Sequence, residues 1–275
     1  MKQNKIYITQ NVDKTKHEHW GDANHPTSDL INFPKPYRML VTAMPNCGKT
    51  MLIQNILIHT KPVWDNIFIM HCDIWTGVDA KDDDKKESFL DSETEFISEY
   101  QGIKAVYLKA MPPLVFWNQF KDQQNLLIID DVNLKQYASK SKARMDKLDK
   151  LYSFISTHKN LSIISAFQSI YAQATPSIYR FCNIFIIWKM RDRNMNTLIA
   201  RNTGIENNDW KRLMSLLESP YDNICIDDTL NSPARLRFNL TNPIVLRQFE
   251  IKSVEKKEES KLPALTGFYL DSDTG

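Results

Sequence analysis

The chain has 275 residues, of which 42% are hydrophobic and 25% charged, an ordinary balance for one large globular domain or two small ones. Its net charge of +2 excludes a polycation, so any surface for nucleic acid must be local. The four cysteines form no C-x-x-C pair, which argues against a zinc ribbon or a redox pair. The N-terminal segment has no apolar core of a secretory signal, and the longest apolar stretch, "FCNIFIIW", is too short to cross a bilayer. We therefore expect a soluble intracellular protein without a membrane segment.

Short apolar runs alternate with helical patterns along the chain. Continuous apolar strands separated by helices predict an α/β fold with a mainly parallel sheet that is covered on both faces. We expect one core over residues 36–245, an N-terminal extension over 1–35, and a charged C-terminal tail or docked extension over 246–275. The predicted strands are 37–42, 66–72, 103–108, 125–130, 161–167 and 183–190. The predicted helices are 50–59, 144–158 and 208–219, and a late hairpin is predicted from 222–228 and 235–240.

The first predicted strand and helix are joined by "TAMPNCGKT". Backbone N–H groups at a helix N-terminus bind phosphate, Lys49 would reach the β- and γ-phosphates, and Thr50 would place its hydroxyl on Mg²⁺. Gly48 would let the backbone pass close to the anion. A chance strand-to-helix turn is the alternative. The pattern predicts binding of ATP and Mg²⁺ by a phosphate loop that consists of Ala43, Met44, Pro45, Asn46, Cys47, Gly48, Lys49, Thr50 and Met51.

Two carboxylates end the strand "NLLIID". Ligands of α/β sheets bind at the carboxyl ends of the strands. We expect Asp130 to hold Mg²⁺ through its water shell and Asp131 to orient the attacking water as a base. Many strands end in two aspartates for solvation alone, and the phosphate loop upstream is what favours the functional interpretation.

Gln168 directly follows the strand "LSIISAF". A side-chain amide at this position can hydrogen-bond the γ-phosphate or the attacking water, and so sense hydrolysis. A polar strand cap is the alternative, and it would be favoured if this strand stood alone. The order of the loop, the acidic pair and the glutamine favours the functional role.

These motifs, in this order, resemble the FtsK–HerA superfamily of DNA-translocating ATPases. The closer resemblance is to the viral genome-packaging ATPases of poxviruses, giant viruses and their virophages. It rests on "YRMLVTAMPNCGKTMLI", "NLLIIDDVNLK" and "NLSIISAFQSIYAQATPSIYRFCNIFII", with "NICIDD" and "RLRF" similar to the family's late hairpin. The resemblance covers residues 36–240, which is most of the chain.

The resemblance implies a P-loop NTPase of RecA/ASCE-like type, a three-layer sandwich. In that fold the strand before Gln168 lies between the loop strand and the acidic strand, so all three motifs meet at one site. It further implies a homo-oligomeric ring, a pentamer or hexamer, that uses ATP hydrolysis to drive double-stranded DNA into a capsid. Viral capsid or portal-vertex proteins would be its partners, and the host cytoplasm, a viral factory or the virion its location.

Three positions depart from the family pattern. The superfamily often has Asp-Glu where this chain has Asp130 and Asp131, and a shorter acid would demand a different water position. Ala43 and Cys47 depart from the glycine-rich loop, and Cys47 offers a candidate accessible thiol. These departures bear on the rate of turnover more than on nucleotide binding.

A ring ATPase usually completes its site with an arginine from the neighbouring subunit, which stabilises the charge of the transition state. Arg180 is the favoured candidate, because in the resembled proteins an arginine lies before the corresponding strand. Arg191 and Arg193, which follow that strand, are alternatives. A surface salt bridge is the simpler interpretation of each.

The segment after Asp131 is basic. Packaging must grip DNA through its phosphates, since it cannot depend on sequence. Three lysines that have no acidic neighbour are the candidate contacts, in a stretch expected to be flexible: Lys135, Lys140 and Lys142. Further along, Arg144, Lys147 and Lys150 alternate with Asp146 and Asp149, which is typical of a solvated helix face.

Two other functions stay open at this stage. A nucleotide-gated structural or scaffolding protein with little turnover would explain the irregular loop and the missing glutamate. A P-loop phosphotransferase would need an arginine-rich lid, whereas the basic residues here follow Asp131 directly. His71, Cys72 and Asp73 end a strand on the nucleotide side, where a chance placement is the favoured interpretation.

Overall fold

The computed structural model of the chain describes residue 31 and residues 33–60, 64–80, 90–94, 105–230, 232 and 234–244. The predicted C-terminal tail (246–275) lies outside these residues, and so does the predicted N-terminal extension (1–35) apart from residues 31 and 33–35. Within the described part, no helix is both long and apolar enough to cross a bilayer.

In the described part of the chain, ten strands form one open sheet in the order β10-β9-β8-β7-β1-β6-β5-β2-β4-β3. The six strands from β7 to β4 in this order are parallel, and the strands at both ends of the sheet are antiparallel. The strands are β1 (Arg38–Thr42), β2 (Asn66–His71), β3 (Leu90–Thr94), β4 (Ala105–Leu108), β5 (Asn125–Asp130), β6 (Leu161–Phe167), β7 (Ile184–Trp188), β8 (Asn223–Asp227), β9 (Leu236–Phe238) and β10 (Asn242–Pro243).

Helices connect most of these strands. A 3₁₀ helix spans Leu114–Phe120, and α3 is continued by a π-helical turn over Leu151–Ile155 and a last turn over Ser156–His158. The α-helices are α1 (Lys49–His59), α2 (Leu134–Ser139), α3 (Lys142–Lys150), α4 (Ile170–Gln173), α5 (Pro176–Phe181), α6 (Arg193–Thr203) and α7 (Asn207–Ser215).

The predicted fold class is confirmed: the chain is mixed α/β, with a mostly parallel central sheet and a late antiparallel hairpin of β8 and β9. The strands predicted at 125–130 and 161–167 match β5 and β6 residue for residue. All residues of β6 and β7 are buried, as expected of central parallel strands with both faces covered. Several elements were not predicted: strands β3 and β10, helices α2, α4, α5 and α6, and the 3₁₀ helix.

The strand order positions the site. Strand β6 lies between β1 and β5, so Thr42 pairs with Phe167 and Asp130 pairs with Ala166. On the far side of β5, His71 is paired with Asp130. The residues that follow these four strands therefore meet at one edge of the sheet, as the sequence resemblance implied.

The basic segment after β5 is helical, which corrects the expectation of a flexible stretch. Asn133 caps α2 by accepting a hydrogen bond from the N–H of Gln136, and Ser141 caps α3 by accepting from the N–H of Arg144. Such side-chain caps satisfy N–H groups that a helix start leaves without partners. These two capping residues are local sequence signals that favour helices, although the stretch has few apolar residues.

Helix α3 is anchored by an acid from a distant loop. Arg144 Nε and Lys147 Nζ each lie 2.7 Å from a carboxylate oxygen of Asp79, and the hydroxyl of Tyr137 donates to the same carboxylate. Burial raises the pKa of Asp79, but the bonds from Lys147, Tyr137 and Arg144 outweigh it and hold that pKa below its ordinary value. The predicted solvated face, with bases alternating with Asp146 and Asp149, is wrong for Arg144 and Lys147. The parallel pairing of β2 with β5 brings the Asp79 loop against α3 instead.

Candidate nucleotide site

The phosphate loop has the backbone that an anion requires. Gly48 has φ 91°, in the left-handed region that favours glycine, and Asn46 adopts φ 61° there as asparagine can. Gly48 is the N-cap of α1, and among the described residues no side chain caps this helix. The first N–H groups of a helix have no intrahelical partner. They are therefore available, together with the positive end of the helix dipole, for phosphate.

A cavity of about 670 Å³ opens against the loop. Its wall on this side consists of Pro45, Asn46, Gly48, Lys49, Thr50 and Met51.

Three members of the predicted loop set do not line the cavity. Ala43 is buried, and its N–H donates to the carbonyl of Phe167 over 3.3 Å, so it extends the β1–β6 ladder. Cys47 is 5% exposed within the hydrophobic core, so the expected accessible thiol is wrong. Met44 is exposed but lies outside the cavity wall. Ala43 thus cannot offer its N–H to phosphate, because the sheet already uses it.

Lys49 lies folded back over the loop. Its side chain is 9% exposed, and Nζ lies 3.4 Å from the carbonyl oxygen of Ala43, to which it donates. The same Nζ lies 3.9 Å from Oδ2 of Asp131. The positive charge of Lys49 is therefore held between the phosphate loop and the acidic strand end.

The two carboxylates at the end of β5 have different surroundings. Burial and the neighbouring charge of Asp131 raise the pKa of Asp130, against the opposing effects of His71 and Lys49. Asp131 adopts φ 53°, and its N–H donates to the carbonyl of Ala166. Its Oδ1 is buried and has no hydrogen-bond partner in the described part of the chain. Such an orphaned buried oxygen normally marks a position that a water, an ion or a ligand completes.

Gln168 joins this pair from the end of β6. Its Nε2 donates to Oδ2 of Asp131 over 2.8 Å, and both residues line the cavity. Lys49, Asp131 and Gln168 therefore meet at one place, together with Thr50 and Asp130 from the same wall.

Gln173, which was not predicted, holds this arrangement. Its Oε1 accepts hydrogen bonds of 2.9 Å from the N–H groups of both Gln168 and Ser169. Its Nε2 donates to the carbonyl of Asp131 over 3.2 Å. One side chain thus ties the end of β6 to the end of β5. The only signal of this role in the sequence is a second glutamine five residues after Gln168. Ser169 caps a helix of four residues, and the turn of that helix brings Gln173 back to the strand ends.

Two further residues line the cavity at its two ends. His71 stands at the end of β2, with Nε2 4.0 Å from Oδ2 of Asp130, so the favoured interpretation of a chance placement is wrong for this residue. Tyr221 stands just before β8, on the other side of the phosphate loop in the strand order.

The arginine candidates lie at two different edges of the sheet. Arg180 is exposed near the end of α5, before β7 begins, and Asn183 N–H bonds the carbonyl of Arg38 at the start of β1. Arg180 is thus at the amino edge of the parallel strands, away from the cavity of its own chain. Arg191 and Arg193 follow β7 and lie at the carboxyl edge, and neither lines the cavity.

The three candidate DNA lysines are exposed and lie outside the cavity. Lys135 Nζ donates to the carbonyl of Tyr171 over 2.7 Å, and Lys140 Nζ donates to the carbonyl of Gly77 over 3.2 Å. Lys142 is the first residue of α3. Two of the three lysines therefore also hold neighbouring loops.

The residues present fit a magnesium ion. Mg²⁺ prefers oxygen ligands and usually keeps several waters. Thr50, Asp130 and Asp131 line one cavity, and burial and the neighbouring charge of Asp131 raise the pKa of Asp130. A divalent cation would offset the repulsion between the two carboxylates.

No family model matches the sequence, and no curated protein sequence matches it significantly. Solved structures do resemble it. The genome-packaging NTPase B204 of Sulfolobus turreted icosahedral virus 2, in complex with sulfate, is 17% identical over 78% of this chain and 100% of that chain, with a TM-score of 0.44. The B204 DNA-packaging ATPase of Sulfolobus turreted icosahedral virus gives 15% identity over 78% and 100%, with a TM-score of 0.45.

The pCW3 conjugation coupling protein TcpA with ATPγS is 12% identical over 70% of this chain and 57% of that chain, with a TM-score of 0.38. The structural neighbours are P-loop ATPases. Identities and TM-scores this low describe a general likeness of fold.

Proposed function

We propose that the chain is an ATP-hydrolysing motor that moves double-stranded DNA into a viral capsid as a homo-oligomeric ring. The observation that carries the proposal is the meeting of Lys49, Asp131 and Gln168 at one cavity, beside a helix N-terminus that no described side chain caps. The elements that hydrolysis of a nucleoside triphosphate needs are an anion cradle, a cation for the phosphates, and a group that orients water. Residues suited to each of these tasks line the same wall, and this supports the proposal.

Each residue has a distinct role in this proposal. The N–H groups at the start of α1 and the ammonium of Lys49 bind the phosphates of ATP. Asp131 orients the attacking water through Oδ1, which has no partner among the described residues, while Oδ2 is held by Gln168. Gln168 senses the γ-phosphate. Its side-chain amide bonds Asp131, and the residue also lines the cavity in which that phosphate would lie. Mg²⁺, held by Thr50 and Asp130, would neutralise charge that develops on the phosphate oxygens.

A structural connection from the site to the basic surface supports DNA movement. Helix α4 carries Gln173, which bonds Asp131 and Gln168, and also Tyr171, whose carbonyl accepts the bond from Lys135. A shift of Gln168 on loss of the γ-phosphate would therefore displace α4 and, with it, the contact of Lys135. Lysine contacts to phosphates would grip DNA whatever its sequence.

The ring and its partners rest on the sequence resemblance. Arg180 lies at the edge opposite the cavity of its own chain, which suits a residue that acts on a neighbouring subunit. We place a pentamer or hexamer at a capsid or portal vertex, in the host cytoplasm, a viral factory or the virion.

ATP hydrolysis measured with and without double-stranded DNA, alongside light scattering for the mass in solution, tests this function. We expect turnover that DNA stimulates and a particle with the mass of a ring. A monomer whose turnover is the same with and without DNA would contradict the proposed motor function.

One observation favours a second function, a nucleotide-gated scaffolding protein with little turnover. Oδ2 of Asp131 is already engaged by Gln168 and lies near Lys49, and the residue is a short aspartate, so only Oδ1 is left to orient water. That function predicts ATP binding with negligible hydrolysis, whatever DNA is added. The same assay separates the two.

A further inference from the structure

The cavity has two chemically different ends. In the sheet order β8-β7-β1-β6-β5-β2, the phosphate loop follows β1. Asp131 and Gln168 follow β5 and β6, on one side of the loop, whereas Tyr221 precedes β8, on the other side. Four strand spacings of about 4.8 Å separate β5 from β8, or about 19 Å in all. This span is comparable with the length of an extended nucleoside triphosphate.

The orientation of a bound nucleotide follows from these positions. Its terminal phosphate must face Asp131 and Gln168, since these are the groups that can orient water and sense that phosphate. The middle of the triphosphate lies over Gly48 and the start of α1. The nucleoside therefore leaves the loop on the opposite side, towards β8.

Tyr221 offers an aromatic surface at that end. It is 45% exposed, and it is the only phenylalanine, tyrosine or tryptophan in the cavity wall formed by the described residues. An aromatic ring of this kind presents a flat apolar face and keeps its polar end wet.

The backbone that carries Tyr221 is tied to the sheet. The carboxylate of Asp222 accepts bonds from the N–H groups of Glu218 and Ser219, over 3.1 and 2.8 Å. The other oxygen of that carboxylate accepts a bond from Nδ2 of Asn239, whose Oδ1 in turn accepts one from the N–H of Asn223 in β8. The turn is thus braced on both sides of Tyr221, so the ring is presented on a fixed support.

We propose that Tyr221 is the base-stacking residue of the nucleotide site, and that it accepts the bases of ATP and GTP alike. This inference rests on the proposed function, because it takes the loop to bind a nucleoside triphosphate. Stacking tolerates different bases, since every base has a π-face and a ring does not read the base edge. Tyr221 therefore favours nucleosides over bare phosphates without selecting adenine.

Binding of ATP, GTP and inorganic tripolyphosphate to the full-length protein tests the inference, measured by calorimetry with magnesium present. The variants are Tyr221→Ala, Tyr221→Phe and Lys49→Ala, with Phe154→Ala as a matched control, because Phe154 is an exposed aromatic residue (52%) outside the cavity. We expect Tyr221→Ala to weaken ATP and GTP by a similar factor, about tenfold. Tripolyphosphate affinity should not change, and Tyr221→Phe should bind as the wild type does.

The outcomes distinguish the stacking role of Tyr221 from the proposed binding of nucleotide by the phosphate loop. If Lys49→Ala loses tripolyphosphate but Tyr221→Ala binds ATP as tightly as the wild type, the loop is a phosphate site and the stacking role is wrong. If Tyr221→Ala loses tripolyphosphate together with ATP, Tyr221 supports the loop structurally and the stacking role is again overturned. If the wild type binds none of the three ligands, the proposed function fails as well.

Discussion

Gln168 donates a hydrogen bond from Nε2 to Oδ2 of Asp131 over 2.8 Å, although the two residues are 37 positions apart in the chain. They directly follow the neighbouring parallel strands β6 and β5, which places the group proposed to sense the γ-phosphate against the group proposed to orient water. Any movement of one side chain therefore changes the position of the other.

Removing the side chain of Gln173, which holds Gln168 and Asp131 in place, should slow turnover without weakening ATP binding. In Gln173→Ala, the N–H groups of Gln168 and Ser169 lose their acceptor and the carbonyl of Asp131 loses its donor. Because a misplacement of about 1 Å can cost about a hundredfold in rate, we expect kcat to fall by roughly tenfold to a hundredfold with KM nearly unchanged. Steady-state ATP hydrolysis measures both constants.

Gln136→Ala is the matched control, because Gln136 is an exposed glutamine of α2 that bonds Asn133 only through its backbone. It should hydrolyse ATP at the wild-type rate. A rise in KM with unchanged kcat in Gln173→Ala would show that Gln173 supports binding and does not position Asp131.

Asp130→Asn should stabilise the nucleotide-free protein at neutral pH while lowering its activity. A carboxyl whose pKa is raised on folding costs stability wherever the native state must hold it ionised. The folded state binds the extra proton between the ordinary pKa of an aspartate and the raised one. Stability of the wild type therefore increases as pH falls through that window.

The neutral amide of the variant has no such penalty, so its advantage in free energy of unfolding is largest at neutral pH and disappears in acid. Urea unfolding at a series of pH values, without nucleotide or magnesium, measures the difference. Loss of stability at neutral pH in Asp130→Asn would show that the attraction of Lys49 and His71 outweighs the burial of this carboxylate.

Arg180 is expected to act on the neighbouring subunit. Arg180→Ala should bind ATP normally and lose about 10³-fold or more of its turnover, within the range found for trans-acting arginines. Mixed with Asp131→Asn, it should regain part of the activity, since the Asp131→Asn subunit supplies the arginine to a neighbour with an intact Asp131. Each variant alone is inactive in this scheme.

Arg191→Ala and Arg193→Ala, assayed in the same way, provide the comparison. Mixtures of Asp131→Asn with one of these two variants could regain activity while mixtures with Arg180→Ala do not. That result would assign the trans-acting arginine to the carboxyl edge of the sheet.

Lys142 is the lysine that most cleanly tests the DNA surface, because Lys135 and Lys140 also bond carbonyls of neighbouring loops. Lys142→Ala should weaken double-stranded DNA equally for unrelated sequences and should reduce the slope of log affinity against log salt by about 0.9. Fluorescence anisotropy over a range of salt concentrations measures the slope. Lys121→Ala, at an exposed lysine that precedes β5, should leave the slope unchanged. An equal effect of both variants would show that Lys142 acts only through the general positive charge of the protein and does not contact a phosphate.

The sequence predicts those parts of the site that depend on strand ends. Asp131 and Gln168 could be found because each follows a continuous apolar run, and parallel strands bring their carboxyl ends to one edge. Gly48 could be found because the loop needs its positive φ. These features are local in the sequence, and the sheet converts them into contacts.

The features that the sequence does not predict depend on packing between distant segments. Gln173 reaches Asp131 because the single turn of α4 brings it back to the strand ends, and Tyr221 reaches the cavity through the antiparallel strand β8. Asp79 replaces the local acids as the partner of Arg144 because the loop after β2 packs on α3. Cys47 turns into the core, a direction that a loop sequence leaves undetermined.

ATP hydrolysis by Asp131→Asn in the presence of double-stranded DNA, with ATP binding measured on the same preparation, tests the central claim most directly. The amide keeps the size of the side chain but removes the charge that orients water. We expect ATP affinity close to that of the wild type and turnover reduced by about 10²- to 10⁴-fold. Hydrolysis at the full wild-type rate would contradict the assignment of Asp131 and, with it, the proposed hydrolytic site.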